Sequence, residues 1–280
     1  DGQPISLLMW PSLGVIPYTG QGSDEVRKFY QTGSTFTNTV GISGGSDKVN
    51  YRVSASDLRN SSIFPTSTLN RQTVNARLGF QANNKLYVET RINYIRQGGK
   101  NRPGYGTDIN TIAMSLNRFP AFLTMDMLKD YKTPSGQANN WTDGRPFNPY
   151  WVLNEFLSSD SRDRVNGYLL ARYKIAPWLT FQARAGTDFY FDVRDSRIGV
   201  NTPTGSFNLR RGQVDNARIR VKEENADILL TATKNLSSNL SSTFSVGANY
   251  LNRNQQQMTL QGNNLNVDGL YNIINAGVVV

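Results

Sequence analysis

The sequence predicts an all-β chain forming part of a transmembrane antiparallel β-barrel, with about eight strands in four hairpins. Three observations carry this. Residues 49–56, 74–82, 86–94, 165–175, 179–191 and 240–250 alternate between apolar and polar side chains, the period of a strand with one apolar and one polar face. Connections alternate between short and long, the layout of barrels with short periplasmic turns and long extracellular loops. Aromatics on the apolar faces gather at both ends. Tyr51, Phe80 and Tyr173 lie towards the short turns, and Tyr94, Phe189, Phe191 and Tyr250 towards the long loops. Such double belts mark the two membrane interfaces.

Residues 1–33 read as a connector, with Ser23 capping a short helix over 24–30. Barrel strands and loops follow over 34–252. The first strand covers about 35–43 and turns at Gly44-Gly45-Ser46-Asp47 into a second over 48–57. A third over 72–82 turns at Asn83-Asn84 into a fourth over 85–97. Residues 98–162 form the longest gap, with a helix predicted around 109–117. So long a loop in a compact domain is normally functional. The fifth strand, 164–175, turns at Ala176-Pro177 into the sixth, 178–191, and a loop over 192–216 leads to the seventh, 218–233. Its apolar phase switches near Glu223-Glu224, which implies either a bulge or a strand that projects beyond the bilayer. Asn235 to Asn239 turn into the eighth strand, 240–251, and residues 253–280 read as a final loop. The abrupt start at Asp1-Gly2 and the end at Val280 read as those of an internal piece of something larger.

Composition narrows the chemistry. The 280 residues contain no cysteine and no histidine. Disulfides, thiolate nucleophiles, imidazole metal ligands and a Ser-His-Asp triad are therefore excluded. Hydrophobic residues make up 38% and the mean hydropathy is −0.47. No apolar run approaches the ~18 residues of a spanning helix, and barrel strands need none. The formal charge is +9. The arginines are dispersed singly along strands, which argues against nucleic acid.

Short motifs occur in order along nearly the whole chain: Phe36-Thr37-Asn38, Ser43-Gly44-Gly45, Tyr51-Arg52, Ser67-Thr68-Leu69-Asn70-Arg71, Asn101-Arg102-Pro103-Gly104, Asn148-Pro149-Tyr150-Trp151, Asn154-Glu155, Arg162-Asp163-Arg164-Val165, Gly186-Thr187-Asp188-Phe189-Tyr190 and Asn225-Ala226-Asp227. In this order the set resembles the SusC/RagA group of TonB-dependent outer-membrane transporters. The resemblance implies a 22-stranded barrel closed by an N-terminal plug, this chain supplying only its early-to-middle strands. It implies energised, non-enzymatic import of oligosaccharides or peptides. The implied partners are a SusD-like surface lipoprotein and TonB-ExbB-ExbD, and the implied location is the outer membrane. Plug, TonB box and closing strand are absent from these 280 residues, and no cofactor or metal is implied.

Trp141, Tyr150 and Trp151, with Arg145 and Asn148 nearby, are the substrate-contact candidates, because flat rings stack on sugar faces and the polar groups bond hydroxyls. The competing reading makes these aromatics a core that holds the loop folded. Arg52, Arg77, Arg91, Arg172 and Arg184 are expected on the polar face, lining a lumen or pairing with plug carboxylates. Glu155, Asp160 and Asp163 invite a glycosidase reading only if two of them converge. The alternative to a transporter is a secreted carbohydrate-binding β-sandwich.

Overall fold

The computed structural model describes residues 2–8, 10–21, 24–106, 108–109, 111–203 and 211–280. A small hairpin of β1 (Pro4–Ser6) and β2 (Val15–Pro17) precedes the main sheet. Eight long strands follow: β3 (Ser34–Gly45), β4 (Val49–Ser61), β5 (Thr68–Gln81), β6 (Leu86–Lys100), β7 (Phe156–Ala176), β8 (Leu179–Ile198), β9 (Gln213–Ser237) and β10 (Leu240–Leu265). Three short helices, α1 (Ile112–Asn117), α2 (Met125–Lys129) and α3 (Pro149–Glu155), lie between β6 and β7, and β11 (Ala276–Val279) ends the chain. Strands β3 to β11 form one nine-stranded antiparallel sheet in which every strand pairs with its neighbour in sequence. It is an open up-and-down sheet, the topology of a partial barrel.

Local chemistry sets the short turns. Asn83 Oδ1 accepts from the Lys85 and Leu86 N–H groups at 2.9 and 3.0 Å, an Asx turn. Ser46 Oγ accepts from Lys48 and Val49 at 3.4 and 3.3 Å. Register then fixes the faces. Tyr51 lies opposite Leu78, Val53 opposite Ala76, and Ala55 opposite Val74; Leu169 lies opposite Ala185, and Ala226 opposite Tyr250. Among the described residues nothing packs against this apolar face. Val40 is 72% exposed, Phe244 69% and Phe36 66%. A sandwich would cover such a face with a second sheet, so that alternative is not favoured.

The strands outrun the sequence-predicted bounds at the long-loop end. β7 begins at Phe156 rather than near 164, β8 runs on to Ile198, and β10 continues to Leu265. The stretch predicted as a loop over 192–216 is thus shortened, and the predicted final loop over 253–280 is corrected. Its first part prolongs β10, and β11 pairs back on Leu265, Asn263 and Gly262. Outside an apolar environment both faces of a strand turn polar, which erased the alternation used to find it. The pairing of β9 with β8 and β10 is unbroken through Glu223 and Glu224, so the phase switch is not a bulge.

Residues 2–30 are more than a connector. The Val26–Phe29 3-10 turn stands where the sequence predicts a helix over 24–30, and Ser23 lies outside the described residues. Trp10, Ile16 and Phe29 enter one hydrophobic core with Leu116, Leu123, Met125, Leu128, Phe147, Trp151 and Phe156. The N-terminal segment and the long β6–β7 loop therefore form a folded lobe at the long-loop end.

Candidate functional site

Asn148 and Pro149 start α3. Asn148 Oδ1 accepts from the Tyr150 N–H at 3.0 Å, and proline occupies the first turn, where no N–H is required. The Asn148 amide nitrogen donates to the carbonyls of Leu128 and Asn139 at 3.0 and 3.1 Å, and the residue is fully buried. Trp151 is fully buried as well. Its Nε1 donates to Thr202 Oγ1 at 3.1 Å, its ring meets Tyr131 edge-on at 6.1 Å, and the Lys132 ammonium lies 5.6 Å from its centroid. Two of the five predicted substrate contacts are thus enclosed, with their polar groups bonded inside the lobe. They tie its parts together and present no surface to a solute.

The other three are partly exposed. Trp141 packs edge-on against Phe119 at 6.4 Å, and Tyr150 against Phe29 at 5.3 Å. Partial burial pushes the Tyr150 phenol above its ordinary pKa. Arg145 donates to the Asp108 carbonyl at 2.8 Å. The same lobe holds a feature the sequence did not single out, a recess of about 570 Å³ lined by Ser12, Gln137, Asn139, Asn140, Thr142 and Asp143 among others, and by none of these three. Its amide and hydroxyl side chains come from the N-terminal segment, the long loop and, through Asn201 and Thr202, the connection between β8 and β9. The run Asn139-Asn140-Trp141-Thr142 was the available signal. It is contiguous in sequence, but its partner Ser12 is not.

All five predicted lumen arginines share the polar face. Arg52, Arg77 and Arg91 lie side by side on β4, β5 and β6, and Arg172 and Arg184 project from the same face of β7 and β8. Three are tied down. Arg77 donates to Glu89 at 2.7 Å, Arg184 to Asp227 at 2.8 Å, and Arg172 to Gln182 at 3.1 Å. Glu89 also accepts from the hydroxyls of Tyr87 and Tyr168, each at 2.7 Å. Among the described residues Arg52 and Arg91 have no side-chain hydrogen bond or ion pair. Two concavities of about 480 and 510 Å³ open on this face, the first beside Arg77, Glu89 and Arg172, the second beside Arg91, Arg164 and Arg184. Higher on the same face, the enclosed Asp192 accepts from Arg162 at 2.6 Å and Arg194 at 2.8 Å.

The three acids of the glycosidase reading do not converge. Glu155 pairs with Lys132 at 2.8 Å, Asp160 with Arg102 at 2.7 Å, and Asp163 accepts from the Tyr94 hydroxyl at 2.5 Å. Each is engaged by its own partner. Asp160 also explains Asn101-Arg102-Pro103-Gly104. Asn101 takes a left-handed backbone (φ 48°) and closes the β6–β7 pair through Ser158 at 3.0 Å, which delivers Arg102 to Asp160.

No protein-family profile matches the sequence, and no curated protein sequence matches it. Solved structures do. The RagAB peptide importer in its "closed-closed" state aligns with TM-score 0.68 and 14% identity, over 100% of this chain and 31% of that one. The RagAB peptide transporter gives 0.67 and 16%, over 91% and 28%, and the "open-open" importer 0.65 and 16%, over 92% and 29%. The chain has the fold of part of these importers. It spans less than a third of their length. The fold that the motif resemblance implies is the fold observed over this length.

Proposed function

We propose that the chain is a segment of an outer-membrane TonB-dependent importer, SusC-like and non-enzymatic, that takes up peptides or oligosaccharides. One observation carries this reading. A single sheet turns an uncovered apolar face one way and an arginine-rich polar face the other, as in a barrel wall between lipid and a wet lumen. The fold shared with peptide importers supports it and makes peptides the first substrates to try.

Substrate meets the lobe at the amide-lined recess and the partly exposed Trp141, Arg145 and Tyr150. The exposed Gln137 amide offers a donor and an acceptor, which suits a peptide backbone as well as a sugar hydroxyl pair, while Asn139 and Asn140 are enclosed and shape the recess wall. Passage then follows the polar face past Arg52 and Arg91. A SusD-like lipoprotein covers the long-loop end, and TonB-ExbB-ExbD supplies energy through plug and TonB-box segments outside these residues. The test is outer-membrane fractionation of the parent protein with heat-modifiable gel mobility, followed by uptake of labelled oligopeptides and oligosaccharides. A heat-shifted outer-membrane species with TonB-dependent uptake is expected; a soluble protein with no heat shift overturns the reading.

A further inference from the structure

The outward-facing side chains change character beyond the upper aromatic belt. On β6, Arg96 and Lys100 follow Tyr94. On β8, Asp195 and Arg197 follow Phe191. On β9, the face that carries Ile228 and Ala226 continues as Glu224, Lys222, Arg220 and Arg218. Lys222 stands opposite Phe189 and Arg220 opposite Phe191, and the Arg220 guanidinium lies 5.4 Å over the Phe189 ring. Lys222 is paired with Glu224 at 2.6 Å and Arg218 with Asp195 at 2.9 Å. Among the described residues Arg96, Lys100, Arg197 and Arg220 form no ion pair; Asp163 stands opposite Arg96 but accepts from the Tyr94 hydroxyl, and the cations still outnumber the acids on this face.

Above this belt the same outer face holds a recess of about 560 Å³, lined by Lys100, Ser159, Asp195, Arg197, Arg218 and Tyr271 among others. The Arg197 guanidinium is held over the Tyr271 ring at 4.5 Å. Three cations face one carboxylate there. Distance decides what reaches it. Lys100 is six residues beyond Tyr94 and Arg197 six beyond Phe191, or ~20 Å along a strand. At a tilt of about 40° this is ~15 Å above the aromatic belt. A simple phospholipid phosphate sits at the level of Arg96 and Arg220 and stops short of the recess. A headgroup of several sugars bearing anionic groups spans both levels.

We propose that this outer face binds the phosphorylated saccharide headgroup of an outer-leaflet glycolipid, its lower phosphates against Arg96 and Arg220 and an upper one in the Lys100–Arg197 recess. Charge complementarity and continuity with the apolar band select a membrane lipid over a soluble anion. The inference rests on the outer-membrane reading, which heat-modifiable mobility checks separately.

The experiment uses the full-length parent protein in detergent, wild type and Lys100→Gln/Arg197→Gln, titrated with deep-rough lipopolysaccharide, with the same glycolipid dephosphorylated, with lipid A alone and with inorganic phosphate. Expected are at least tenfold weaker binding of the phosphorylated glycolipid by the double variant, recovery in Lys100→Arg/Arg197→Lys, and unchanged heat-modifiable mobility throughout. Equal binding of the phosphorylated and dephosphorylated forms overturns the proposal. So does lipid A alone binding as tightly as the longer glycolipid, or millimolar inorganic phosphate displacing it, since either removes the need for an extended headgroup. Unchanged affinity in a folded Gln variant overturns it as well.

Discussion

At the scale of single residues, the lobe is where sequence and structure part. Trp151 and Asn148 belong to residue types that recognise ligands, yet each is enclosed and bonded internally. Nothing local distinguishes a tryptophan that stacks on a substrate from one that plugs a core. The deciding partners, Leu128 and Asn139 for Asn148 and Thr202 for Trp151, lie 20, 9 and 51 residues away and outside any local pattern. Asn148→Ala strips two carbonyls of their donor and α3 of its cap, at a cost of about 3 kcal/mol. Trp151→Ala leaves a cavity and costs about 3–5 kcal/mol. Both variants should speed limited proteolysis within 101–155 while the parent protein's barrel keeps its heat shift; equal cleavage rates would mean that these residues do not hold the lobe together. Gln137→Ala/Asp143→Ala, at two exposed residues of the recess, should in contrast weaken binding of labelled oligopeptides several-fold without speeding that cleavage. Glu25 adds a pH handle. Its carboxylate pairs with the Lys28 ammonium and accepts the Met125 N–H at 2.7 Å, and both interactions hold its pKa below the ordinary carboxylate value. A depressed folded pKa contributes stability above the unfolded value, near 4.3, that is lost as pH falls through the folded one. Docking of residues 2–30 onto α2 should therefore loosen only below pH ~4. Glu25→Gln should flatten that dependence, read as the rate of pepsin cleavage against pH.

The strand is the element that the sequence reports best, and only over part of its length. Residues 49–56 or 240–250 betray themselves because one face meets apolar surroundings and the other does not. Beyond that band the constraint lapses, and Asn252, Asn254 and Gln256 stand on the face that carried Phe244, Val246 and Tyr250. β3 to β6 have 12–15 residues and β7 to β10 have 20–26, against ~9–11 for a tilted crossing. On the outer-membrane reading proposed above, the excess of the second group stands clear of the bilayer. Nitroxide labels at Ala226 and Ala248 in the parent protein should be accessible to oxygen, and labels at Lys222 and Asn254 to a water-soluble relaxer. A uniform profile along β9 would contradict projection. Ile228→Arg, on the apolar band, should cost about 2–4 kcal/mol of barrel stability, while Lys222→Gln on the same face should leave it near wild type.

Across the whole molecule the sheet leaves two open edges, and neither is short. Among the described residues the outer side of β3 has no strand partner along Ser34–Gly45, and β10 is covered on that side only where β11 and Val280 pair back on Gln261, Gly262, Asn263 and Leu265. About twenty residues of β10, 240–260, thus present free N–H and C=O groups on one side. In hydrocarbon each unsatisfied backbone group costs several kcal/mol, and in water a long flat edge recruits other chains. The apolar face compounds this, with Val40, Val74, Ile92, Leu169, Ile228 and Phe244 all uncovered. Neither solvent suits the 280 residues by themselves; further strands would satisfy the edges, and hydrocarbon would then cover the apolar face. The isolated chain should accordingly aggregate, or refold in detergent without a discrete heat-shifted monomer. The parent protein should give that monomer, and deleting residues 34–61 from it should abolish it by reopening an edge at β5. A stable, monodisperse isolated chain with protected amides along 240–260 would show instead that this sheet pairs with itself, and the segment would have to be read as a complete small barrel.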